Sequence, residues 1–178
     1  MSAPDRLVVG LGNPGAEYAG TRHNLGWRTL DRLAEVKGLA GDWRMNRKED
    51  HLLRDGRTVY LKPGSYMNES GQPVREQADY YEIKPPSVLV ITDDLDLPFG
   101  DVRYRPSGGS GGHRGLGSVI RELGVSKEVP RLRLGIGRPP PEMTPIDYVL
   151  SRFSPEEEEA LPEFLDRAIA ALAEQLDE

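Results

Sequence analysis

Arg6-Leu7-Val8-Val9-Gly10-Leu11-Gly12-Asn13-Pro14-Gly15 is the stretch on which the fold turns. Its first half is an apolar run that reads as a buried strand ending in glycines. Its second half satisfies G-x-G-x-x-G directly after that strand, the pattern of a dinucleotide-binding turn. Such a turn needs a helix starting inside the glycines, so that the helix N-terminus holds a pyrophosphate. Here Pro14-Gly15 and Tyr18-Ala19-Gly20 read as turn and loop, and helical spacing begins only at Asn24. No second strand ending in a ribose-binding acid follows at the expected distance. The glycines therefore belong to some other α/β arrangement, and a nucleotide-dependent dehydrogenase is kept only as a rival.

Downstream, strands and helices alternate. Asn24 to Val36 reads as a helix, with Trp27, Leu30, Leu33 and Ala34 on one face. His51 to Lys62 reads as a hairpin turning at Asp55-Gly56. Ser65 to Tyr81 is helical after an irregular start, its regular part beginning near Pro73. Ser87 to Thr92, Asp101 to Arg105 and Arg131 to Ile136 read as strands. A last helix starts at Ser154, with Pro155 at its first position and Glu157 at the capping-box position. Ser107 to Gly117, with six glycines in eleven residues, and Arg138 to Pro145 read as irregular. The expectation is an α/β fold: one globular domain over residues 1–178, with a mixed twisted sheet flanked by helices.

The chain has no cysteine, which excludes disulfides and thiolate metal sites. No apolar run approaches the roughly 18–20 residues of a membrane helix, and no signal-peptide pattern opens the chain, so a cytoplasmic location is expected. The formal net charge is −6, yet Leu97 to Pro140 carries eight basic residues against three acidic ones. These are Arg103, Arg105, Arg114, Arg121, Lys127, Arg131, Arg133 and Arg138. From Ser151 to the end the balance reverses to −7. A phosphate-bearing partner fits the basic stretch; arginines that merely solvate strand edges are the plainer reading.

Thr21-Arg22-His23-Asn24 places an imidazole at a loop-to-helix junction among polar neighbours, where it suits a general base. Thr92-Asp93-Asp94-Leu95-Asp96 follows an apolar strand. Asp93 and Asn13 then each lie just past a strand end. If those strands are parallel neighbours, both side chains meet in one crevice, where an aspartate holds and orients an imidazole. A magnesium site from Asp93, Asp94 and Asp96, or a solvated acidic turn, are the alternatives. Tyr66-Met67-Asn68 offers an aromatic for stacking and an amide for a carbonyl, or is an ordinary helix entry. His113, wrapped in glycine, reads as structural or substrate-contacting rather than as the base, and His51 as incidental.

Taken in order, Val9 to Gly15, Thr21 to Asn24, Tyr66 to Asn68, Asp93 to Pro98, Gly111 to His113 and Arg131 to Gly137 resemble the bacterial peptidyl-tRNA hydrolase family. The likeness spans residues 6 to 150 or so. Each motif alone is weak, whereas the ordered set is specific. The resemblance implies a cytoplasmic monomer, without metal or organic cofactor, that hydrolyses the ester between a peptide and its tRNA. It implies His23 as the base, Asp93 as its support, and Asn13 as the position separating N-blocked from free aminoacyl-tRNA. Tyr18, Tyr66 and Asn68 match substrate contacts, and Arg105 and Arg133 match a clamp for the terminal phosphate of the acceptor end. The family usually has asparagine where this chain has Arg114. Arginine only donates hydrogen bonds, so Arg114 is read as a contact to phosphate or to an ester oxygen. A non-catalytic RNA-binding relative is the alternative within the fold; a pure binder has no need of Asn13, His23, Asn68 and Asp93 together.

Overall fold

The structure, a computed structural model, describes residues 2–124 and 128–178. Lys127, counted above in the basic stretch, lies outside them. Chain order is β1 (Arg6–Gly10), α1 (Leu25–Val36), β2 (Arg44–Met45), β3 (His51–Asp55), β4 (Thr58–Lys62), α2 (Gly71–Tyr81), β5 (Val88–Asp94), β6 (Val102–Arg105), α3 (Arg114–Glu122), β7 (Arg131–Gly135), α4 (Pro145–Val149) and α5 (Pro155–Gln175).

The strands form one mixed sheet in the order β2-β3-β4-β1-β5-β7-β6. The four central strands are parallel, and β2, β3 and β6 pair antiparallel at the two flanks. Period-two alternation sorts the buried side chains into two layers. Val8, Leu89, Ile91, Leu132 and Leu134 face a core shared with α1 and α5. Leu7, Val9, Val88 and Val90 face a second core shared with α2 and α3. Both faces of β1 are covered, which explains why Leu7-Val8-Val9 reads as a continuous apolar run. No helix among the described residues is long and apolar enough to cross a membrane.

Topology places the crevice. The chain leaves β1 toward β4 and leaves β5 toward β6 and β7, so adjacent parallel strands send their connections in opposite directions. Such a switch point opens a cleft beyond the carboxyl ends of the two strands.

The first glycines serve packing rather than phosphate binding. A Cβ on Gly10 would collide with the carbonyl of Gly26 in α1, and one on Gly26 would lie 2.5 Å from Leu11 N and 2.6 Å from Ile91 O. Two facing glycines let α1 lie directly on the ends of β1 and β5. A 3-10 turn over Arg22–Asn24 precedes α1, so no helix begins inside the glycine motif. That removes the dinucleotide reading.

Several boundaries differ from the sequence reading. The strand ending in aspartates runs to Asp94, so Asp93 sits within β5 and not past it; pairing with β7 continues through Asp93↔Leu134 and Asp94↔Gly135. In the hairpin Asp55 pairs with Thr58, and the turn is Gly56-Arg57, because Gly56 takes the left-handed φ of 60° that a two-residue turn requires. The segment expected to be irregular through Gly117 is helical from Arg114. Glycine content hides this helix, but Gly115 packs against Met67 and Leu11, where a side chain would clash. The capping box of Ser154 and Glu157 is present at the start of α5.

Candidate active site

A cleft of about 460 Å³ opens at this switch point. Asn13, His23 and Asp93 line it, as do Tyr18, Tyr66, Asn68, Arg105, Arg114 and Arg133, so every residue singled out for the site from sequence reaches one cavity. His51 packs edge-on against Trp27 and is not part of the lining.

Asp93 is the centre of the polar cluster and only 3% exposed. His23 Nδ1 donates to its Oδ2 at 2.8 Å, and His113 Nε2 donates to its Oδ1 at 2.8 Å. An ionised carboxylate only accepts, so these two nitrogens carry protons. His113 Nδ1 in turn accepts from the Leu116 N–H at 3.2 Å and caps α3, which fixes that ring's tautomer. His23 Nε2 has no hydrogen-bond partner among the described residues and is left as the basic nitrogen of the cleft. Burial alone would raise the Asp93 pKa; the positive charge the two histidines carry once they protonate in acid, together with their N–H donors, outweighs it and holds the carboxyl well below the usual range. His113 thus takes the structural side of its sequence reading, holding the far side of the carboxylate. The H-R sequence opening an amphipathic pattern at Leu116, Val119 and Ile120 was the available signal for that cap.

Asn13 is fixed on three sides. Asn24 Oδ1 accepts from the Asn13 N–H at 2.8 Å, and Asn24 Nδ2 donates to the Asn13 carbonyl at 2.9 Å. The Met67 N–H donates to Asn13 Oδ1 at 2.7 Å. With its oxygen occupied, Asn13 presents its Nδ2 amide as a donor. Asn24, 1% exposed, was missed as a working residue because in sequence it looks like the start of a helix.

Arg22 fastens the His23 segment to the C-terminal part of the chain. Its backbone N–H donates to Ser151 O at 3.0 Å. Its guanidinium donates to Ser151 Oγ at 2.7 Å and to Glu157 Oε1 at 2.6 Å, and it lies 4.4 Å from the Tyr148 ring centroid. Thr21 bridges Arg152 in the same joint.

One wall of the cleft is basic. Alternation puts Arg131 and Arg133 of β7 on the face away from Leu132 and Leu134, and Arg105 of β6 pairs with Arg131. Arg133 meets Asp94 at 3.4 Å, and its buried Nε has no partner among the described residues. Arg131 is 2% exposed and bonded to carbonyls of the glycine-rich loop; burial first, then Arg105 and Arg133, lower its pKa from the ordinary guanidinium value. Arg114 is exposed at the rim and makes no hydrogen bond or ion pair among the described residues. Leu95, Ile146, Val149 and Leu150 form an apolar wall, and Tyr18 meets Tyr66 edge-to-face at 6.3 Å.

The three aspartates do not assemble as a magnesium site. Asp94 turns to Arg133 and Asp96 pairs with Arg138 at 2.7 Å. The potential metal ligands that do converge, among the described residues, are His23, Asp93 and His113, whose donor atoms lie within 4.8 Å of one another. Their mutual hydrogen bonds already account for that closeness.

The profile of the peptidyl-tRNA hydrolase family matches residues 7–178. A peptidyl-tRNA hydrolase of Chloroflexus aggregans is 49% identical over 169 residues, covering 93% of this chain and 89% of the relative. One from Aquifex aeolicus is 43% identical and covers 97% of this chain and 90% of its own length. The crystal structure of the peptidyl-tRNA hydrolase from Acinetobacter baumannii superposes with a TM-score of 0.82 at 32% identity, covering 96% of this chain and 87% of that one. Ordered motifs, one cleft and near-complete coverage lead to one placement: the chain belongs to the peptidyl-tRNA hydrolase family.

Proposed function

We propose that this protein hydrolyses the ester joining a peptide, or an N-blocked aminoacyl group, to the terminal ribose of tRNA. The observation that carries the reading is the His23–Asp93 pair, which leaves His23 Nε2 bare in a cleft lined by donors and cations. His23 Nε2 takes a proton from water as the water oxygen attacks the ester carbonyl carbon. Asp93 keeps the proton on Nδ1 and stabilises the imidazolium that forms. Asn13 Nδ2 donates to the developing oxyanion. The intermediate collapses, the carbon–oxygen bond to the ribose breaks, and the imidazolium returns its proton to the leaving hydroxyl. Water is consumed, and a free peptide acid and a free tRNA end result.

Arg105 and Arg133 suit the terminal phosphate of the acceptor end, with Arg114 as a further rim contact to substrate. Tyr18, Tyr66 and Asn68 line the mouth, where they suit the terminal nucleotide and the first peptide unit. The same reading takes residues 1–178 as one domain, since both apolar layers belong to one sheet, and takes the protein to act in the cytoplasm as a monomer. A non-catalytic RNA binder has no use for a buried carboxylate held between two imidazoles. The deciding experiment compares N-blocked with free aminoacyl-tRNA as substrates. Turnover of the blocked form with little on the free form is expected; equal rates, or none on either, would sink the reading.

A further inference from the structure

Arg131 has no role in the reaction as described, yet it is among the largest side chains that are fully buried. Its Nε donates to Val129 O at 2.9 Å, and its two terminal nitrogens donate to Gly109 O and Gly108 O, each at 2.6 Å. A guanidinium has five N–H groups, so two remain without a protein acceptor among the described residues. No carboxylate lies within ion-pair distance of it among those residues. Arg105 and Arg133, its neighbours on the same face of the sheet, add to the local positive charge. Burying a cation without an anion is costly, and carbonyl dipoles offset only part of that cost. The group also lines the cleft. What would complete its coordination is an anion arriving from the cleft.

We infer that Arg131 is the buried third cation of the phosphate subsite, positioning the loop of residues 107–112 and lacking a counter-charge until the terminal phosphate of the substrate supplies one. The inference rests on the reading of Arg105 and Arg133 as that subsite. The loop needs such an anchor: Gly108, Gly111 and Gly112 have φ of 135°, 60° and 83°, and a segment this rich in glycine loses much entropy on ordering. Its carbonyls at 108 and 109 face one planar fork, a geometry that lysine cannot reproduce. The loop runs directly into His113, which holds Asp93, so the same anchor links the phosphate end of the cleft to the base.

The test compares Arg131→Lys with wild type on two forms of a blocked aminoacyl-tRNA, with and without its terminal phosphate. Wild type is expected to favour the phosphorylated form through KM. Arg131→Lys is expected to raise KM for that form about tenfold, the worth of one charge-assisted hydrogen bond, and to raise it much less for the stripped form. A purely structural role would raise KM, or lower kcat, equally for both. If wild type itself does not distinguish the two forms, the phosphate reading of Arg105 and Arg133 fails and this inference with it. If wild type distinguishes them and folded Arg131→Lys does so equally well, only the inference on Arg131 fails. Should the variant not fold, the Nε–H resonance of Arg131 in wild-type protein is followed while inorganic phosphate is added. A saturable shift is expected, and an unmoved resonance overturns the proposal.

Discussion

Asn24 holds Asn13 as a paired strand would, accepting from its N–H and donating to its carbonyl at 2.8 and 2.9 Å. Asn13 can therefore aim its amide into the cleft although it lies in a loop beyond β1. Asn24→Ala leaves two buried backbone groups unpaired, at a cost of about 1–3 kcal/mol each. The expected outcome is a lower urea midpoint together with a fall in kcat. Wild-type turnover in a folded Asn24→Ala protein would show that Asn13 does not depend on this clamp.

His23→Ala removes the bare nitrogen and should lower kcat by about 10²–10⁴-fold, the usual range for a general base. Asp93→Asn is the sharper variant. An amide facing His23 can donate to Nδ1, which moves the ring proton to Nε2 and leaves no base in the cleft. Steady-state kinetics on a blocked aminoacyl-tRNA should show kcat falling far more than KM rises. Equal changes in both would argue that Asp93 binds substrate and does not orient His23.

The lowered pKa of Asp93 also has a sign in stability. Its folded value lies below the unfolded one of about 3.9, so the folded state favours the ionised form. That stabilisation is complete above the unfolded value and is lost as pH falls through the folded one. Melting curves between pH 6 and 2.5 should therefore fall less steeply for Asp93→Asn than for wild type. Parallel curves would mean that Asp93 carries no such stabilisation.

Gly26→Ala tests the contact between α1 and the strand ends. The added methyl would lie 2.5–2.7 Å from backbone atoms of Leu11 and Ile91, none of which can swing aside. Overpacking of this kind costs about 1–3 kcal/mol or more. A fall in melting temperature and in kcat together is expected, because α1 carries the His23 turn at its start. An unchanged melting temperature would show that α1 can shift freely on the sheet.

Much of this was legible in the sequence. Leu7-Val8-Val9 and Val88 to Ile91 announce buried strands, and the helical spacing at Trp27, Leu30, Leu33 and Ala34 announces α1. The short strand β2 and helix α3 were not legible. The first has two residues, and the second begins in a glycine-rich segment whose helical propensity is poor until tertiary packing against Met67 rewards small residues. Asn13, His23 and Asp93 could be placed together because strand ends converge in parallel sheets. The holding roles of Asn24, His113 toward Asp93, and Arg131 could not, because the groups they hold lie elsewhere along the chain; only the cap that His113 makes on α3 has a local sign, the apolar spacing that follows it.

The Arg22 joint makes the cleft hostage to a helix that contributes nothing to its lining. Arg22 spans from the residue before His23 to Ser151 and Glu157, at the threshold of α5. Detachment of α5 would also strip Arg22 of Glu157 and release the turn that presents the imidazole. Proteins open in cooperative units whose members share such ties. Loss of hydrogen-exchange protection in α5 and loss of the His23 turn should accordingly be a single event, with one opening free energy for both ends of the chain.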